Sequence, residues 1–150
     1  MKFQFPLQKV LQHRKVLEDL AQRDFQEALA ELNLQLQKLN QMEEAVLLAR
    51  EEAFRRQSEG GKTSSSLTQV DDFLKGQDIR IARQKERIKE CESLVENLRE
   101  ILRQKAIDYK IIEELKTRRL KEFKVEQKKR EQKRLDDISL MRFRRGDVEK

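Results

Sequence analysis

The residues of this chain that could do chemistry are few, and each has a plainer role within reach. Gly60-Gly61-Lys62-Thr63 holds part of a phosphate-binding loop, in which backbone N–H groups and a lysine ammonium cradle an anion. The full motif needs another glycine upstream and a strand before it. Neither is present, so the stretch reads as a flexible turn. His13 is the one histidine and lies among Gln12, Arg14 and Lys15, a surface setting. Cys91 is the one cysteine, which excludes an intramolecular disulfide and a cysteine-based metal cluster. The 28 carboxylates alternate with Lys and Arg at i,i+3 and i,i+4 spacing, the pattern of a solvated helix face rather than of an acid–base pair. With no serine in an elbow motif and no cleft in prospect, the chain is expected to be no enzyme and to bind no metal or cofactor.

Composition narrows what could position such residues. Of 150 residues 41% are charged, while aromatics make up 5% and Trp is absent. One Pro and four Gly leave little turn chemistry for a sheet. A hydrophobic fraction of 37% is thin for a globular core, yet its periodicity is too regular for disorder. The first residues lack the apolar core of a secretory signal, and no apolar run approaches the ~20 residues of a membrane span. The expected setting is the reducing cytoplasm.

The periodicity is that of a coiled coil. Pro6 suits a first helical position, and no breaker follows it up to Gln57. Leu11, Phe25, Leu32, Leu39, Val46 and Ala53 recur at multiples of seven, with Glu18 as the one interruption. A companion row is expected from Leu7, Val10, Leu20, Ala21, Ala28, Leu29, Leu36, Met42 and Ala49. In the second half Leu74, Ile81, Ile88, Val95, Leu102 and Tyr109 keep the spacing without a gap, beside Cys91, Leu98 and Ile112. Gly76 is a local weak point, about 1 kcal/mol worse than Ala in a helix. Between the stripes, Gly60 can end a helix in a left-handed conformation, and Ser66 with Gln69 reads as a capping box opening the next. The expected layout is helix 1 over about 6–57, a loop at 58–66, helix 2 over about 67–140 and a frayed tail at 141–150, all in one domain.

A hairpin built this way is all-α: a long antiparallel two-helix coiled coil with position i opposite about 124−i. Phe25 then lies near Leu98, Leu36 near Ile88 and Leu7 near residue 117. Helix 1 runs out there, so an unpaired basic C-terminal helical extension is expected. Residues 116–150 carry fourteen basic and seven acidic side chains, whereas residues 1–65 are balanced and 66–115 carry ten basic and eleven acidic. Such a segment can be a solvated face, a nucleic-acid contact, a membrane-surface helix or an insert for an acidic protein ring. Glu122, Glu126 and Glu131 interrupt the run, stacking aromatics are few, and Lys128 to Arg134 offers no apolar face. Insertion into an acidic ring or groove is favoured.

Two stretches carry a family likeness. One is Phe3-Gln4-Phe5-Pro6-Leu7-Gln8-Lys9-Val10-Leu11, running on into Leu17-Glu18-Asp19-Leu20-Ala21-Gln22. The other runs from Leu120-Lys121-Glu122-Phe123 to Glu131-Gln132-Lys133-Arg134-Leu135-Asp136-Asp137-Ile138. With the length and hairpin layout, the chain resembles the FliJ family of bacterial flagellar export proteins. The resemblance implies a component of the type III export apparatus that serves flagellar biogenesis and motility. Such a protein acts as a stalk inserted into the hexameric export ATPase, contacts the export gate membrane protein and escorts export chaperones. It implies cytoplasmic residence with peripheral association at the cytoplasmic face of the inner membrane, at the flagellar base.

On that resemblance Phe3, Phe5, Leu7, Lys121, Phe123, Lys124, Arg130, Lys133 and Arg134 would face the ATPase. Phe73 matches the aromatic of the gate contact, with Gln77 and Gln84 at the next positions along the helix, more polar than the family pattern. The alternatives are a structural coiled-coil scaffold or adaptor and, less favoured, a basic nucleic-acid-associated helix.

Overall fold

The computed structural model describes residues 2–59 and 64–149, with side chains for 2–59 and 67–146. Two helices, α1 (Gln8–Ser58) and α2 (Ser64–Glu149), of 51 and 86 residues, pack against each other as an all-α hairpin. Pro6 lies in the turn that starts α1, where Gln8 N–H donates to the Phe5 carbonyl at 3.1 Å and Leu11 N–H to that of Leu7 at 2.9 Å. α2 begins at Ser64, so its backbone is already helical at Ser66. The capping box does not open it. The expected C-cap at Gly60, and the Gly60–Thr63 stretch as a whole, lie outside the described residues.

α2 also continues past Leu140, where a frayed tail was expected, to Glu149. Met141, Arg142, Arg144 and Arg145 are good helix formers, and the single Gly146 lowers helix propensity by only about 1 kcal/mol. Gly76 likewise sits inside an unbroken helix.

The chain divides into two compact units, and each shows how the heptads pack. In the unit formed by Asp19–Gln104, the inward positions of α1 step by three and four: Ala21, Phe25, Ala28, Leu32, Gln35, Leu39, Met42, Val46 and Ala49 are buried or half-buried. Facing them, α2 turns in Leu74, Gln77, Ile81, Gln84, Ile88, Cys91, Val95 and Leu98. Ile88 and Val95 are 6% and 4% exposed, and burial of each such side chain contributes about 1.5–3 kcal/mol. The strict stepping corrects the companion row. Leu20 and Leu36 are exposed, because each lies one residue, about 100° around the helix, from the true inward positions Ala21 and Gln35.

The register is the expected one. The Arg99 guanidinium lies 5.7 Å from the centre of the Phe25 ring. Gln84 Nε2 donates to the Gln35 carbonyl at 2.8 Å; helix carbonyls point one turn onward, which sets Gln84 at the height of Leu39.

In the other unit, Met1–Glu18 with Lys105–Lys150, the core is Phe5, Leu11 and Ile112. Phe3, Leu7, Tyr109 and Leu115 pack on it. The Phe3 and Phe123 rings lie 5.5 Å apart, tilted by 50°. Phe3 precedes α1, and extended chain covers more distance per residue than helix, which lets it reach as far as Phe123. Val10, expected inward, is exposed beside the buried Leu11. From Lys124 to Gly146 every side chain is exposed.

Candidate protein-binding surfaces

The candidate residues lie on the helix surfaces and along the seam between the two helices. Three regions hold the sequence candidates. The first is the apolar knot at the start of the chain. Phe5 is 8% exposed and belongs to the core, with Phe3 and Leu7 half-buried against it. These residues hold the N-terminal segment on α2 before they could touch anything else. Fixing Phe3 against Phe123 gives a half-buried aromatic pair at the point where core packing stops.

The second region is the basic stretch of α2. Lys121, Lys124, Arg130, Lys133 and Arg134 are all exposed. Arg130 and Arg134 reach back one turn to Glu126 at 3.5 Å and Glu131 at 3.0 Å. Exposed pairs of this kind contribute under about 1 kcal/mol and are readily exchanged for a better partner. Lys121, Lys124 and Lys133 make no ion pair among the described residues. Val125, Leu135, Ile138, Met141 and Phe143 are exposed among these cations, so the surface offers apolar as well as basic contacts.

The third region is around Phe73, which is 40% exposed at the flank of the seam. Gln77 and Gln84 do not share its surface. Both are 7% exposed and turned to α1. Gln84 Nε2 donates to Gln35 Oε1 at 2.8 Å, and Gln77 Nε2 to the Met42 carbonyl at 3.4 Å. Gln35, 1% exposed, donates in turn to Glu31 at 2.7 Å. In the closed hairpin these glutamines are seam residues, not a face for a second protein. Gln84 and Gln77 lie seven and fourteen residues before Cys91, on its seam row, and as polar residues they add nothing to the hydrophobic stripe.

Polar seam residues also gather in the N-terminal unit. Arg14 donates to the Asp108 carbonyl at 2.7 Å, and Lys15 Nζ lies 5.1 Å from the centre of the Tyr109 ring. The Tyr109 hydroxyl donates to Glu113, and this bond, with some desolvation, holds its pKa above the usual tyrosine value. Glu18, the break in the stripe, keeps Oε2 buried without a hydrogen bond, 3.9 Å from Lys15 Nζ. His13 is exposed and Cys91 half-buried at a seam position. Among the described residues no group of three or more His, Cys, Asp and Glu could hold a metal, and no helix is long and apolar enough to cross a membrane.

Fold and surface together define an all-α coiled-coil hairpin with long stretches of exposed helix. The family of the flagellar FliJ protein matches residues 2–147, and the chain belongs to it. No curated protein and no solved structure matches the chain. As a member of that family it is a flagellar-export-related coiled-coil protein of the export apparatus, and the family is one of non-catalytic components.

Proposed function

We propose that this protein is the stalk of the flagellar export ATPase: the basic end of α2 enters the hexameric ring, and the rest of the hairpin carries contacts to the export gate and to export chaperones. The observation that carries the reading is the run of exposed, lysine- and arginine-rich helix from Lys124 to Gly146, directly beyond the Phe3–Phe123 pair. In this reading the run is an unpaired overhang. A helix that spends no side chain on its own core can offer all its faces to a ring, as a central stalk must. Its charge steers it toward acidic loops, with association rates that fall as salt screens the attraction.

Phe5, Leu7 and Phe3 serve this end indirectly, by pinning the N-terminal segment where the overhang begins. Lys121, Phe123, Lys124, Arg130, Lys133 and Arg134 are the contact candidates. Phe73 is the gate candidate; Gln77 and Gln84 support it from the seam behind. Peripheral residence at the cytoplasmic face of the inner membrane follows from those partners, because the chain brings no membrane-spanning helix among its described residues.

A pull-down with the export ATPase tests the reading. A chain truncated after Phe123 keeps the Phe3–Phe123 contact and loses the whole run from Lys124 onward. The reading expects capture by the full chain and none by the truncated one; equal capture would sink it.

A further inference from the structure

One flank of the Asp19–Gln104 unit carries cations that the hairpin does not neutralise, and we infer that it docks an acidic amphipathic helix of the export gate protein. Given Phe73 as the gate contact, on which this rests, the cations beside it select the docked segment by its charge. In an antiparallel pair of right-handed helices, residues one step before the inward positions fall on the same flank of both. On α2, Phe73, Arg80, Arg83, Arg87 and Leu94 each come one residue before an inward side chain, namely Leu74, Ile81, Gln84, Ile88 and Val95. On α1, Leu34, Lys38 and Leu48 come one before Gln35, Leu39 and Ala49. Gln84 stands at the height of Leu39, which sets Lys38 between Arg83 and Arg87 and Leu48 beside Phe73.

The four cations are exposed. Arg80 donates to the neutral Gln77 Oε1 at 2.9 Å, and Lys38, Arg83 and Arg87 make no ion pair among the described residues. From Leu34 to Leu48 on α1, and from Phe73 to Arg87 on α2, no carboxylate stands one step before an inward position. Glu86 lies on the outer face of α2 and pairs with Lys89 at 3.4 Å. Glu90 is the first acid on the flank, and it closes the basic patch at the Leu34 end. Apolar side chains mark both limits. Leu48 and Phe73, 62% and 40% exposed, stand at one end, with Leu34 and Leu94, 46% and 51% exposed, at the other.

The order along the flank is thus apolar, basic, apolar, over ~31 Å from Phe73 to Leu94. A helix of ~20 residues has that length, and the groove between two packed helices accepts a third at the usual 8–10 Å separation. Its inner stripe would carry apolar side chains near each end and Asp or Glu between them. The arginine forks then gain carboxylate partners in place of water, while the apolar ends bury Phe73 and the leucines. A phosphate backbone has no use for paired apolar anchors, and a bilayer surface calls for a continuous apolar face, which the central cations interrupt.

The test measures binding of the purified full chain to the cytoplasmic domain of the export gate protein and to a synthetic amphipathic peptide of ~20 residues. The peptide carries leucines near both ends of one stripe and glutamates between them; a control peptide has lysines in place of the glutamates. Arg80→Gln, Arg83→Gln and Arg87→Gln combined should weaken binding of gate domain and acidic peptide tenfold or more, the difference shrinking at high salt. Lys75→Gln, Lys85→Gln and Lys89→Gln combined remove equal charge from the opposite flank, one step after inward positions, and should leave binding unchanged. Arg83→Gln with Arg87→Gln alone should repeat most of the loss at unchanged helical circular dichroism. Gate binding that Phe73→Ala weakens but the arginine changes do not overturns the inference and leaves the gate reading standing. Arginine-dependent binding of the acidic peptide, with no binding of the gate domain, supports the acidic-helix site and overturns the gate as its source. Failure of the acidic peptide to bind, equal binding of the lysine peptide, or equal loss from both sets of changes overturns the site itself. So does arginine-dependent self-association, or arginine-dependent binding to phosphatidylglycerol vesicles, in place of peptide binding.

Discussion

Tyr109 is the chain's one tyrosine, and with Trp absent its ionisation can be followed by absorbance without interference. Its hydroxyl bond to Glu113 and its partial desolvation both favour the protonated form. The titration midpoint should therefore lie above the ordinary tyrosine value and move back toward it in Glu113→Gln. Because the folded-state pKa is raised, the stability linked to this group is fully present below the unfolded-state pKa of about 10 and is lost as pH rises through the folded value. Thermal melts at increasing alkaline pH should show that loss, and Tyr109→Phe should not. A second residue-scale case is Gly76. A Cβ there would meet the Arg80 guanidinium at 3.6 Å, an ordinary contact with a flexible side chain. Gly76→Ala should stabilise the chain by up to ~1 kcal/mol, read from denaturant midpoints at unchanged slope.

At the scale of the helices, what holds the two together is a seam of mixed chemistry. Gln84 is satisfied twice by Gln35, so replacing one partner alone strands the other in a buried setting. Gln84→Leu should destabilise by about 1–2 kcal/mol, while Gln35→Leu with Gln84→Leu should be neutral or stabilising. A double-mutant cycle in urea checks this, and additive single effects would show that the two glutamines are not coupled. The seam also explains how far the sequence could be read. The break at 58–66 supplied the hairpin and its register, and Leu74 to Tyr109 keeps an unbroken seven-residue spacing, so the seam roles of Cys91 and Tyr109 were legible from hydrophobicity. Gln35, Gln77 and Gln84 were not, because a polar residue gives no apolar signal even when its heptad position is inward. Leu20 and Leu36 misled for the converse reason: an apolar residue next to an inward one looks like seam until a neighbour helix fixes the angle. The ends of α2 were misplaced because local caps and one glycine are weak beside the propensity of a long helix.

At the scale of the molecule, the candidate sites were legible unevenly. Lys121, Lys124 and Lys133 are exposed, whereas Phe5 is engaged in the core and the two glutamines face inward. Phe73 alone remains at the surface of the gate set. Phe73→Ala should weaken binding to the export gate about tenfold or more without changing helix content, since aromatic anchors dominate such contacts. Stimulation of the export ATPase measures the proposed role of the basic end of α2 most directly. Hydrolysis by the hexamer should be followed against increasing full-length chain, and again with Lys121→Glu, Lys124→Glu and Lys133→Glu combined. These three side chains are exposed, so the fold should be unaffected. The stalk account predicts that the concentration for half-maximal stimulation rises roughly tenfold or more, with the difference shrinking at high salt. Stimulation by the reversed-charge chain at the same concentration as the original would contradict it.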